Sequence, residues 1–292
     1  MNSTAVLILV VSFFVMLVGR VPIAFAIGIS SILTTAYLGL PLMQIAQLMV
    51  KGVNVFTLMA VPFFIVAGEI MGAGGISNRL IKLADAMVGW LRGGLAMVNC
   101  LDSMFFGGIS GSSTADTAAL GSIIIPMMKE QGYDECFATN LTMTSSVQGL
   151  LIPPSHNMVM YAMVAGGVSV GRLFLGGIVP GVSLGLTLAV YCYIMAKKHN
   201  YPMGSPFNLK NAVRATIDAF WGLVTLLIVV VGVVTGIVTA TESAALAVVW
   251  SLMVGFFIYK ELTLIEAWHV LERALGTLAI VMILISTSQV FG

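Results

Sequence analysis

Charge is what this sequence lacks most. Asp, Glu, Lys and Arg together make up 9% of its 292 residues, against about 25% in a soluble domain. Apolar side chains make up 59%. Segments 5–18, 173–196 and 221–238 are apolar around the whole helix, which argues against a soluble core and predicts a polytopic membrane protein. Net charge is +1, so no global field points to nucleic acid. Cysteine is scarce too. Cys100, Cys136 and Cys192 show no metal or redox spacing and read as small apolar residues. There is no Gly-rich phosphate loop with Lys, so ATP is not the expected energy source and no cofactor is expected. No His and Asp pair backs a serine, which disfavours an intramembrane enzyme using Ser112 or Ser113. The N-terminus lacks the basic start and small-residue cleavage site of a signal peptide, so segment 4–19 is expected to be retained.

What is present is a series of apolar spans near 4–19, 21–39, 54–73, 136–163, 173–196, 219–238, 241–259 and 275–292. Amphipathic stretches lie between them. Residues 76–92 set Arg79, Lys82, Asp85 and Arg92 beside Ile76, Leu80, Leu83, Met87 and Trp90, the pattern of a helix lying in the membrane interface. Residues 206–220 look similar.

Segment 94–128 is unlike the rest. The run Gly107-Gly108-Ile109-Ser110-Gly111-Ser112-Ser113-Thr114-Ala115-Asp116 is small or polar, between apolar flanks 94–106 and 117–128. Each flank is about half the roughly 20 residues a span needs. Irregular backbone at that depth must be buried in protein or line a cavity, so 94–128 reads as a re-entrant hairpin with its tip at the run. A flexible turn in a water-exposed loop is disfavoured, because the charges cluster at Lys129–Glu135 and not at the tip.

Orientation follows from the positive charges. With loop 197–218 in the cytoplasm, eleven of the 13 Lys and Arg residues fall inside, and only Lys51 and Arg172 fall outside. Counting 94–128 as a full crossing would reverse everything after it. The N-terminus is then outside, and the hairpin enters from the cytoplasmic side.

A weak internal repeat is visible at an offset of 222, where Leu40-Pro41-Leu42-Met43-Gln44-Ile45-Ala46 matches Leu262-Thr263-Leu264-Ile265-Glu266-Ala267-Trp268. An odd number of crossings separates the copies, so they are inverted, the arrangement of many secondary transporters. The second copy reaches Gly292 without counterparts of the hairpin or of span 136–163. The expectation is therefore a chain truncated at its C-terminus, with an incomplete second repeat.

The tip chemistry suits ions. Ser110, Ser112, Ser113 and Thr114 supply hydroxyl oxygens, and hard cations prefer oxygen ligands. A second half-helix starting near Thr114–Asp116 would point its positive end at the membrane centre, where a carboxylate is welcome, and the carbonyls ending the first would suit sodium. Asp116 reads equally as a cap or structural hydrogen-bond acceptor and as an ion ligand, and Asp102 could brace the hairpin from behind. The second break is Gly149-Leu150-Leu151-Ile152-Pro153-Pro154-Ser155-His156-Asn157, in which two prolines remove two donors and free upstream carbonyls. Before it come Asn140, Thr142, Thr144, Ser145, Ser146 and Gln148, which must face a cavity or a neighbouring helix. Glu69, Glu242 and His156 read as structural or interfacial polar residues.

These motifs carry a resemblance. "GGISGSSTADTAALGSIIIPMMKEQGY" at 107–133, "LIPPS" at 151–155 and "TATESAALAVVW" at 239–250 resemble the large permease subunit of tripartite ATP-independent periplasmic (TRAP) transporters, the DctM type. The resemblance implies an all-α, inverted-repeat, elevator-type secondary transporter with a re-entrant hairpin and broken helices, in the bacterial inner membrane. It implies sodium-coupled import of organic acids: C4-dicarboxylates, sialic acid, or other sugar and keto acids. Implied partners are a small four-helix DctQ-type membrane subunit and a periplasmic DctP-type binding protein. By motif position, Ser110, Ser112, Ser113, Thr114 and Asp116 would serve the sodium and substrate site, facing Gly149, Pro153 and Ser155. The sodium ion itself is placed at Ser110, Ser112 and Gly149; a second sodium site is given no residues. Residues 1–93 would be scaffold helices and arm, 94–163 the moving transport domain, and 164–292 a connecting span, linker and the start of the second repeat. Rival readings are an ion channel or a carrier that needs no binding protein.

Overall fold

The computed structural model describes residues 3–204 and 206–292. Most of its helices follow from the apolar and amphipathic stretches above; the helix Leu42–Val53 falls between two expected spans. The expectation for the extreme N-terminus falls on Met1 and Asn2, which lie outside the described residues. The helices are α1 (Ser3–Val18), α2 (Ile23–Tyr37), α3 (Leu42–Val53), α4 (Ala60–Ala73, entered through a 3₁₀ turn), α5 (Ile76–Val88), α6 (Gly94–Ser110), α7 (Ser113–Glu130), α8 (Glu135–Ser146), α9 (Gln148–Leu151) and α10 (His156–Ala165). They continue with α11 (Val170–His199), α12 (Leu209–Val234), α13 (Ala240–Met253, extended by a π turn to Ile258) and α14 (Leu264–Phe291). Among the described residues, five helical stretches are long and apolar enough to cross a membrane: 56–73, 170–199, 209–234, 240–258 and 264–291. Helices α1, α2 and α3 are shorter apolar helices.

Two expected boundaries are redrawn. The amphipathic stretch 206–220 is no separate element: from Leu209 it runs without a break into the following span as α12. Likewise residues from Leu264 run straight into the span expected near 275, making one 28-residue helix. No Pro or Gly punctuates either junction strongly enough to stop a helix once its apolar continuation is packed.

The chain forms two compact units. The first comprises residues 1–58 and 275–292. Its polar residues are spent locally: the hydroxyls of Ser30, Ser31, Thr34 and Thr35 each bond back to a carbonyl three or four residues earlier on α2, so they do not disturb an apolar helix. Phe13 meets Phe291 at 5.5 Å, and the Ser286 hydroxyl donates to the Met49 carbonyl at 3.1 Å.

The second unit, residues 59–274, holds the polar breaks. Helix α4 packs on α13 through buried alanines, among them Ala60, Ala67, Ala244 and Ala247. The arm α5 buries Ile76, Leu80, Leu83 and Ala84 against α6 and α12. Its Arg79 lies 3.7 Å over the Tyr259 ring and pairs with Glu261 at 2.7 Å. Met87 and Trp90, expected on the apolar face, stay largely exposed, at 46% and 40%. Hairpin α6–α7 is bound at its base by Leu95, Val98, Leu120, Ile124, Met128 and Leu141. There Tyr133 stacks on Tyr201 at 4.3 Å.

Candidate functional site

Helix α6 runs through most of the polar run and ends at Ser110. The break is therefore only Gly111 and Ser112. Gly111 takes a left-handed conformation (φ +63°), open to glycine at little cost. The second half-helix begins at Ser113, a residue before the range expected from sequence, and Ser112 is its N-cap, its hydroxyl accepting from the Ala115 amide at 3.3 Å. Ser112 thus satisfies one orphan donor and leaves the rest of the α7 N-terminus open.

Asp116 turns inward instead of capping. It is fully buried, and one carboxylate oxygen accepts from the Ser110 hydroxyl. The Ser112 amide in turn donates to the Ser110 oxygen at 3.1 Å. The other carboxylate oxygen of Asp116 has no hydrogen-bond partner. Ser112 and Thr114 hydroxyls lie 3.0 Å apart, and Thr114 is exposed. Ser113 is half-buried, its carbonyl accepting from Thr117 at 2.8 Å.

The second break faces this tip. Helix α9 ends at Leu151, and α10 starts at His156 after the double proline. Pro153 and Pro154 lack N–H groups, so the Gly149 and Leu150 carbonyls lose their helical donors. A Cβ placed on Gly107 would come 2.5 Å from the Gly149 Cα, and one on Gly149 would come 2.5 Å from the free Asp116 oxygen. A Cβ on Gly111 would come 2.8 Å from the Pro154 carbonyl oxygen and 3.1 Å from Ser155 Cα, and one on Gly108 3.3 Å from the Pro153 carbonyl oxygen. The glycines are thus where two broken helices meet backbone to backbone. Ser155 is fully buried, and its hydroxyl has no partner.

Ser110, Asp116, Gly149, Pro153 and Ser155 therefore converge with the Gly111–Ser112 turn, whereas Ser113 and Thr114 lie on its outer side. The assembly presents carbonyl, hydroxyl and carboxylate oxygens, with two of them unpartnered in a buried place. That donor set fits a hard cation.

Other polar residues have different work. Asn99 donates to the Thr142 hydroxyl at 2.7 Å, Ser145 to Asn99 at 3.2 Å, and Ser103 to Ser145 at 2.9 Å. Gln148 reaches the Cys100 carbonyl at 3.4 Å. Thr142, Ser145 and Gln148 are thus glue between α8–α9 and α6, while Asn140 and Thr144 are exposed. The brace expected from Asp102 is not formed: the residue is fully buried, yet neither carboxylate oxygen has a hydrogen-bond partner. Glu242 closes a capping box with Thr239, and Glu69 meets Arg273 at 3.4 Å. Gly68, which places α4 against Ser110 (3.1 Å from a built Cβ to its Cα), went unnoticed; a lone glycine among apolar residues gives little signal.

Broken helices meeting inside a bundle of apolar helices define a polytopic membrane transporter class. Residues 10–292 match the family described as Tripartite ATP-independent periplasmic transporter, DctM component, and the chain belongs to that family. It is 42% identical over 282 residues to the isethionate TRAP transporter permease protein DctMQ of Oleidesulfovibrio alaskensis, covering 96% of this chain and 44% of that protein. It is 43% identical over 249 residues to the C4-dicarboxylate TRAP transporter large permease protein DctM of Vibrio cholerae, covering 85% of this chain and 55% of that one. Against the sialic acid TRAP transporter permease protein SiaT of Haemophilus influenzae, identity is 33% over 292 residues, covering 100% and 47%. The chain thus spans about half the length of these relatives.

Proposed function

We propose that this chain is the large membrane subunit of a sodium-coupled importer of organic acids. In this reading a periplasmic DctP-type binding protein delivers the substrate, and a small DctQ-type subunit completes the membrane part in the bacterial inner membrane, with the N-terminus of the large subunit outside. One observation carries the reading most: the buried, unpartnered oxygens of Ser155 and Asp116 lie beside the Gly111–Ser112 turn, where two broken helices meet. Sodium is held by oxygens of Ser110, Asp116, Gly149 and Ser155 and offsets the charge of the Asp116 carboxylate. The substrate carboxylate then meets the N-terminal end of α7, where Ser112, Ser113 and Thr114 offer donors. Residues 94–163 move as the transport domain against scaffold helices, in elevator fashion. Pro41 and Thr263, paired by the 222-residue offset, flank the starts of α3 and α14, which supports the inverted-repeat reading.

The test is uptake into proteoliposomes holding this subunit and its small partner. Uptake is expected to need both an inward sodium gradient and the cognate binding protein. Uptake indifferent to sodium refutes the coupling; flux without the binding protein favours a channel or a one-component carrier. Ser110→Ala and Ser155→Ala are expected to weaken the sodium dependence, and an unchanged response in both removes those residues from the site.

A further inference from the structure

Beside the tip lies a cavity of about 410 Å³ that shares only Ser110 with the proposed ion site. One wall is a face of α7 formed by Ala115, Ala118, Ala119 and Ser122, spaced as neighbours along a helix. Ile123 of the same helix and Phe106 of α6 are the large apolar side chains that also line it. Ser110 stands at one end, joining the cavity to the hairpin tip, while Glu69 and Arg273 also line it. Ser77 lines it too, 4% exposed, and its hydroxyl has no hydrogen-bond partner.

We infer that this cavity is a carboxylate-binding vestibule on the substrate path, with Arg273 as its anion-binding group. The inference rests on the organic-acid reading above and adds residues to it. Arg273 already holds one carboxylate there, that of Glu69, through Nε at 3.4 Å. The pair is partly exposed, with the arginine side chain at 58%, so it is weak, and an incoming carboxylate can replace Glu69 at small cost. A guanidinium suits that exchange because its fork matches carboxylate geometry. Ser77 supplies a buried donor to the same anion, and the alanine face lets it move on toward or away from Ser110.

The test is thiol protection in the full chain with its small partner. Ser122→Cys is made in a Cys136→Ala background; Cys100 and Cys192 are buried. Labelling by N-ethylmaleimide is timed with succinate, isethionate or N-acetylneuraminate, with neutral succinamide and sodium chloride as controls. At least one anion is expected to slow labelling about five-fold and neither control to do so. Arg273→Gln is expected to abolish the protection, and Glu69→Gln to bring it on at lower anion concentration. Labelling unaffected by all three anions, protection by sodium chloride alone, or protection surviving Arg273→Gln overturns the inference. Sodium-driven uptake by the unlabelled wild type is read separately, so failure of the transport reading is distinguishable from failure of the vestibule.

Discussion

The two ends of the hairpin are built from the same residue types and do opposite things. At the base, Asn99, Ser103, Thr142 and Ser145 bond to one another across α6 and α8. At the tip, Ser155 and one oxygen of Asp116 are equally buried and have no partner. A satisfied hydroxyl inside a membrane protein joins helices; an unsatisfied one costs free energy until something binds it. The contrast holds for the hydroxyls; Asp102, buried between Asn99 and Ser103 with both carboxylate oxygens unpartnered, does not follow it.

The largest break of this comparison is expected from Gly107→Val. The new side chain meets the Gly149 backbone, so α6 and α9 must part. Overpacking of this kind costs about 1–3 kcal/mol. A lowered melting temperature in detergent and loss of uptake check it; unchanged uptake would mean the two helices need not touch.

Next come Ser145→Ala and Ser155→Ala, paired on purpose. Ser145→Ala strands Asn99 and Ser103 and is expected to lower stability by roughly 1–3 kcal/mol, leaving the sodium response alone. Ser155→Ala removes an already unpartnered oxygen. Stability is expected to hold or rise, while the sodium concentration for half-maximal uptake rises several-fold. If the two variants behave alike in both assays, base and tip do not differ as argued.

The smallest effect concerns pH at the base. Burial pushes the Tyr133 phenol from its ordinary 10 up to about 12. The folded form therefore holds its proton after the unfolded chain has released it. That stability is complete below pH 10 and falls as pH rises toward 12. Thermal melts between these values are expected to show the decline, and Tyr133→Phe is expected to flatten it.

Much of the architecture was legible in advance because hydrocarbon permits few alternatives. The five long apolar helices, the hairpin 94–128 and the broken segment 136–163 follow from apolar length and from Gly, Ser and Pro placed where a helix needs neither, while 4–19 and 21–39, expected as spans, form shorter apolar helices. What misled were the junctions at 209–219 and 264–275, where amphipathic character suggested separate elements and helix hydrogen bonding carried straight through. At the site, Ser110, Asp116, Gly149, Pro153 and Ser155 were legible as a group because they sit at two breaks. That Ser113 and Thr114 lie on the outer side, and that Ser110 is the donor to Asp116, was not.

Sequence alone determined that this is a membrane-embedded helical protein with two polar breaks, since composition and segment length answer directly to the bilayer. Only the tertiary structure decided which polar groups satisfy each other. Asn99 and Thr142 are 43 residues apart, Glu69 and Arg273 are 204 apart, and no local pattern encodes such pairings. They depend on how close the glycines let the backbones approach, and that distance is set by packing.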